Sequence, residues 1–128
     1  MIVGDSIAVG VAQVRQECVS YSKGGINTYQ WLNQYVGKTP LVAKTVIISL
    51  GSNDHKHIKT RKELETIRQL TKADRVYWIL PAIKPDIQED VNTVAALYGD
   101  VVLPITRLQT DKIHPSSAGY KQLAEKTK

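Results

Sequence analysis

The chain has 128 residues, a formal net charge of +5, 42% apolar and 23% charged residues, which is an ordinary soluble composition. It is long enough for one domain, residues 1–128, whose core buries roughly two-thirds of the unfolded surface. No stretch reaches the ~18 apolar residues of a membrane span, no basic-then-apolar leader opens the chain, and the single cysteine, Cys18, excludes an internal disulfide.

The expectation is therefore a protein with no membrane span and no signal peptide, cytoplasmic by default. The positive balance favours anionic partners. Nucleic acid is not expected, because no basic helix and no basic strand interleaved with aromatics is present.

Met1-Ile2-Val3 reads as a short buried strand, stopped by Gly4-Asp5-Ser6. Ile7, Val9, Val11, Ala12 and Val14 then make an apolar run that ends at Arg15-Gln16-Glu17, as expected of a buried helix. Cys18 to Ser22 reads as a second short strand, closed by Lys23-Gly24-Gly25, whose glycines permit positive φ. Thr28 reads as the cap of a helix with Trp31, Leu32, Tyr35 and Val36 on one face and Gly37 as its stop. Thr45 to Leu50 is a near-continuous β-branched run, the pattern of a central strand buried on both faces. Gly51-Ser52-Asn53-Asp54 ends it, and the basic loop His55-Lys56-His57-Ile58-Lys59 follows. The next helix turns Leu64, Ile67 and Leu70 inward. Arg75 to Leu80 is the fourth strand. Pro85 opens a helix carrying Ile87, Val91, Val94, Leu97 and Tyr98, closed by Gly99. Val101 to Leu103 is the fifth strand. Asp111-Lys112-Ile113-His114-Pro115 leads into a last helix with Ala118, Leu123 and Ala124.

Five strands alternating with five helices predict an α/β fold, a three-layer α/β/α sandwich around a parallel sheet. Analogy with small doubly wound sheets gives the strand order 2-1-3-4-5. In such a sheet the strand ends converge on one edge, where ligands bind. Ser6, Gly24-Gly25, Asn53 and the pair Asp111/His114 all fall there. Ester hydrolysis requires a nucleophile, a base, a group that orients the base, and donors for the oxyanion. Ser6 supplies a hydroxyl at a helix start, and its own N–H is available to an oxyanion. His114 has a carboxylate three residues back, so Asp111 can hold Nδ1 while Nε2 faces Ser6. Gly25 offers a backbone N–H and Asn53 an amide donor.

These residues resemble those of the SGNH hydrolases, the GDSL-type esterases and lipases. Gly4-Asp5-Ser6 is similar to the family's first block, Gly51-Ser52-Asn53-Asp54 to its Gly-x-Asn-Asp block, and Asp111-Lys112-Ile113-His114-Pro115 with Gly119-Tyr120 to its Asp-x-x-His block. The resemblance implies a flavodoxin-like fold with a five-stranded parallel sheet, and serine esterase chemistry that needs no metal and no cofactor. It implies Ser6, Asp111 and His114 as the catalytic triad, with Ser6, Gly25 and Asn53 forming the oxyanion hole. For the glycine, the spacing to Thr28 favours Gly25 over Gly24. Few residues remain to build lids, so short acyl groups, acetyl above all, are expected on a glycan or other small polar ester.

Other readings weigh less. Asp54 is expected to hold its turn through side-chain bonds to the backbone. Ser52 has no partnered histidine. His55 and His57 lack a third metal ligand. The Gly-x-Ser-x-Gly of the α/β-hydrolases is absent. A non-catalytic glycan-binding or structural module with an esterase fold, or a hydrolase of cell-wall breakdown, are the alternatives. Lys23, Lys56, Lys59 and Lys112, with Lys84, fall on the edge that carries Ser6, and so predict a basic rim for an anionic ester substrate.

Overall fold

The computed structural model describes residues 1–128. Its elements run β1 (Ile2–Gly4), α1 (Ser6–Val14), β2 (Ser20–Ser22), α2 (Thr28–Tyr35), β3 (Thr45–Ser49), α3 (Thr60–Leu70), β4 (Arg75–Leu80), α4 (Pro85–Tyr98), β5 (Val101–Pro104) and α5 (Ser117–Lys126). All strand pairs are parallel, in the order β2-β1-β3-β4-β5. The expected sandwich and strand order are thus those of the structure.

The pleat divides the core between the two faces of the sheet, because alternate side chains of a strand point opposite ways. Ile2, Ile47, Ile79 and Leu103 pack with Ile7, Ala8 and Val11 of α1 and Leu123 of α5. Val3, Val46, Ile48, Val76 and Trp78 pack on the other side with Trp31 of α2, Leu64 and Ile67 of α3, and Val91 and Val94 of α4. β3 is buried on both faces, as its β-branched run requires. Burying a Trp or Ile side chain fully is worth on the order of 1.5–3 kcal/mol, so Trp31, Trp78, Ile47 and Ile48, all at or near zero exposure, are the chief anchors of the sheet.

Some details differ from the sequence reading. α2 is capped by Asn27, whose side chain accepts from Gln30 N–H while the Gln30 side chain accepts from Asn27 N–H. That reciprocal box satisfies two free donors and outcompetes Thr28, whose hydroxyl is used elsewhere. β2 covers only Ser20–Ser22, an edge strand with Ser20 exposed and Tyr21 and Ser22 half-buried. Leu70 and Leu97 are exposed. Leu70 is the last residue of α3, and on α4 Ala95 takes the buried position instead. Ala118 is exposed, and α5 begins at Ser117 behind a Ser116 cap, two residues after Pro115.

β1 and β3 are neighbours, yet the chain leaves them in opposite directions across the sheet. Their carboxyl ends therefore flank the topological switch point, where a crevice opens. Ser6 follows β1 and Asn53 follows β3.

Candidate functional site

Gly4 sets the start of the site. Its backbone has φ +143° and lies so close to β3 that a Cβ there would overlap the Ser49 carbonyl oxygen. Only glycine permits that approach, and Asp5 N–H then donates to the same carbonyl at 2.9 Å. The chain turns at once into α1, with Asp5 as N-cap: its Oδ1 accepts from Ile7 N–H at 3.0 Å and from Ser49 Oγ at 3.2 Å. Ser6 is the first residue of the helix, so the helix leaves its N–H free.

Across the edge, the segment before α5 brings His114 to Ser6. Ser6 Oγ and His114 Nε2 are 3.1 Å apart, and His114 Nδ1 lies 2.7 Å from Asp111 Oδ2. The other carboxylate oxygen, Asp111 Oδ1, accepts from the N–H groups of Ile113 at 2.9 Å and His114 at 3.0 Å. Those bonds fold the segment into a tight turn, with Lys112 in the left-handed region at φ 59°. The N–H of Ile113 foremost, then the His114 ring and N–H, favour the ionised carboxylate and bring Asp111 down to about 2. A permanent negative charge thus faces Nδ1, which stabilises an imidazolium formed when Nε2 takes a proton. The His114 and Asp111 side chains are 38% and 40% exposed, so the relay lies open to solvent.

The turn after β2 completes this edge. Lys23 N–H donates to Gly4 O at 3.0 Å, which anchors the turn beside the end of β1. A Cβ on Gly24 would lie 3.9 Å from Ser6 Cβ, while Gly25 carries a positive φ of 78° with open space around it. Neither glycine N–H donates within the protein. Asn53 Nδ2 donates to Ile26 O at 3.0 Å. That leaves one of its two amide hydrogens unused and fixes Asn53 against the residue after Gly25. His114 is thus in direct contact with both Ser6 and Asp111, Gly24 lies beside Ser6, and Asn53 is held against the residue that follows the glycine turn.

Asp54 faces inward and is nearly fully buried. It accepts from Thr28 N–H at 2.9 Å, Thr28 Oγ1 at 2.6 Å and Thr60 Oγ1 at 2.7 Å. One carboxylate therefore ties the starts of α2 and α3 to the loop holding Asn53. Asp54 is structural, but its carboxylate bonds Thr28 and Thr60 and not, as was expected, the backbone of its own turn.

Lys23, Lys56, Lys59 and Lys112 are all exposed, and none is in an ion pair. Lys84 behaves differently. Its Nζ donates to Ser52 O at 2.9 Å and Asp54 O at 2.8 Å, so it is a clasp on the Asn53 loop and not a member of the free rim. His55 and His57 meet edge to face at 5.8 Å, and no group of three His, Cys, Asp or Glu side chains is placed to hold a metal.

Two residues escaped the sequence reading. Asp5 is fully buried, with Oδ2 lacking any partner. Burial, only partly opposed by the bonds from Ile7 and Ser49, pushes its carboxyl up to about 6. Ser49, the one polar side chain at the end of β3, serves Asp5 across the strands. Its polarity within an apolar run was the available signal.

No family model matches the chain, and no curated protein matches it in sequence. Among solved structures the fold is similar to that of an acetyl xylan esterase, Est2A, from the rumen bacterium Butyrivibrio proteoclasticus. The TM-score is 0.56 at 13% identity, over 98% of this chain and 60% of that one. This chain therefore spans about 60% of the esterase's length, and the likeness is one of fold.

Proposed function

We propose that the protein is a serine esterase of the SGNH type that removes short acyl groups, acetyl foremost, from a glycan or similar polar ester. The observation that carries this reading is the relay Ser6 Oγ–His114 Nε2 at 3.1 Å and His114 Nδ1–Asp111 Oδ2 at 2.7 Å. The fold likeness to an acetyl xylan esterase supports it.

In this reading His114 Nε2 takes the Ser6 proton as Oγ attacks the ester carbonyl. The negative oxygen that develops meets the Ser6 N–H, the Gly25 N–H and the spare amide hydrogen of Asn53. Gly24, beside Ser6, is the alternative donor to Gly25. Fixed donors of this kind act where charge appears in the transition state, and each is worth roughly 10²–10³ in rate. His114 returns its proton to the departing alcohol, then activates a water that releases the acyl group from Ser6. The ionised Asp111 holds the imidazole in place throughout.

The open relay favours small acyl groups, because nothing on this edge walls off a long apolar groove. A panel of p-nitrophenyl esters from acetyl to decanoyl tests this. Turnover should be fastest for acetyl and fall steadily with length. Equal or faster turnover of the eight- and ten-carbon esters refutes the acyl preference. No turnover of any ester identifies a non-catalytic module on the same fold.

A further inference from the structure

The capping box that opens α2 uses half of two amides. Asn27 Oδ1 accepts from Gln30 N–H at 2.8 Å, and Gln30 Oε1 accepts from Asn27 N–H at 3.1 Å. Because both acceptors face backbone N–H groups, the orientation of each amide is fixed by its partner. The two NH₂ groups are thereby held as donors, and neither has a partner within the protein. Capping requires only the oxygens, which serine or aspartate at the cap and glutamate three residues on supply equally well. The amide donors are therefore surplus to the helix.

Both residues line a cavity of about 500 Å³, within the size range of small-molecule sites. Its other walls include Tyr29, 58% exposed on α2, and His55, His57 and Glu63 from the β3–α3 loop and α3. His55 Nδ1 accepts from His57 N–H at 3.3 Å, so in the neutral ring Nε2 carries the hydrogen and is a further donor. The position of the cavity is set by the contacts already described. Asn27 directly follows Ile26, the acceptor of Asn53, and His55 directly follows Asp54, the acceptor of Thr28 N–H. Two of the lining residues, Asn27 and His55, are thus chain neighbours of the contacts that hold Asn53 and Asp54.

Rings that offer flat faces, several planar N–H donors and one carboxylate acceptor suit a ligand with both C–H faces and many hydroxyls. An acyl chain would want apolar walls, and of the lining residues only Tyr29 and Ile58 supply them. A bare phosphate would want several cations, whereas Lys59 shares the lining with the carboxylate of Glu63.

We propose that this cavity is a sugar subsite, in which Tyr29 stacks on a pyranose ring of the ester's alcohol portion while Asn27, Gln30 and His55 donate to its hydroxyls. The proposal rests on the esterase reading for its purpose, but not for its detection. The test uses Tyr29→Ala and Gln30→Glu. The second keeps a capping oxygen, replaces the NH₂ donor by a charged carboxylate oxygen that can only accept, and so preserves the helix start. With an acetylated xylo-oligosaccharide and p-nitrophenyl acetate as paired substrates, each variant should lose about tenfold in its kcat/KM preference for the sugar ester, through KM. Separately, NMR titration of Ser6→Ala with the unacetylated oligosaccharide should shift amides of residues 27–30 and 55–63, and Tyr29→Ala should abolish those shifts. Unchanged preference in both variants overturns the subsite, as do sugar-induced shifts confined to other surfaces or no shifts at all. If the wild-type protein hydrolyses no ester yet shows the 27–30 and 55–63 shifts, the esterase reading fails and the subsite stands.

Discussion

Asp111 grips His114 twice: Oδ2 lies 2.7 Å from Nδ1 of the ring, and Oδ1 accepts from the His114 backbone N–H at 3.0 Å. One carboxylate therefore fixes both the tautomer of the imidazole and the turn that carries it. Asp111→Asn keeps an oxygen for the backbone donors but removes the charge facing Nδ1. The expected loss in kcat is on the order of 10²–10⁴, with circular dichroism unchanged. A variant within threefold of wild type on an acetyl ester removes Asp111 from the relay.

Because its partners hold Asp111 down to about 2, it stays ionised through the ordinary assay range. The sign of its linkage follows. A depressed carboxyl contributes stability above its unfolded value, about 3.9, and loses it as pH falls towards 2. In the wild type the acid limb of kcat/KM between pH 7 and 4 should therefore follow a single ionisation. A second ionisation on that limb contradicts a permanently charged orienting group.

Asp5 has the opposite sign. Its folded value, about 6, lies above the unfolded one, so the buried carboxyl prefers its proton and the ionised form strains the fold. Stability should rise as pH falls through 6 towards 4, by up to about 3 kcal/mol from this group alone. Asp5→Asn keeps the cap oxygen for Ile7 and abolishes that dependence. Urea midpoints of both proteins at pH 4.5 and 7.5 check it: parallel changes in the two would count against a buried, proton-seeking Asp5.

Lys84 sits at φ 64°, a left-handed conformation uncommon for a residue with a side chain, and its amine clasps the carbonyls on either side of Asn53. Ile87 on the same helix lies against Gly51, where a Cβ would crowd its Cγ2 at 2.6 Å. Losing the clasp should loosen Asn53 and so act on the transition state more than on substrate binding. Lys84→Met is expected to lower kcat about tenfold with KM nearly constant, a change of about 1.4 kcal/mol, and Lys84→Arg to restore part of it. Steady-state kinetics decide this, since a KM effect alone would make Lys84 a substrate contact instead.

The unpaired lysines Lys23, Lys56, Lys59 and Lys112 should draw anionic esters over about a Debye length, roughly 8 Å at physiological salt. Raising the salt should lower kcat/KM for an acetylated uronate ester and leave its neutral analogue unchanged. Lys56→Glu with Lys59→Glu should reproduce that drop at low salt. Equal responses of the two esters make the rim solvated surface.

The sheet was legible because its signals are local. β3 announces itself by Val46-Ile47-Ile48, and Gly4 sits where the chain needs a φ of +143° beyond the reach of other residues. The relay was legible because His114 lies three positions after Asp111, a spacing that one turn closes. What escaped depends on contacts between distant segments. Thr28 reads as a cap until Asp54, 26 residues on, is seen to claim its hydroxyl. Lys84 reads as surface charge until the loop 30 residues earlier offers two carbonyls. Asp5 reads only as part of the turn before Ser6 until Ser49 and the closeness of β3 show it sealed from water. Asn27-x-x-Gln30, like the polar Ser49 within the run of β3, was a local signal overlooked, since the threonine beside it is an equally common cap.

The central claim is that Ser6 is a nucleophile activated by His114. The most direct measurement is labelling with a fluorophosphonate, located by peptide mass spectrometry, in the wild-type protein, Ser6→Ala and His114→Ala. One phosphonyl group on Ser6 is expected in the wild type, none in Ser6→Ala, and labelling slowed at least 100-fold in His114→Ala. Modification at Ser52 or another serine, or equal labelling without His114, contradicts the account.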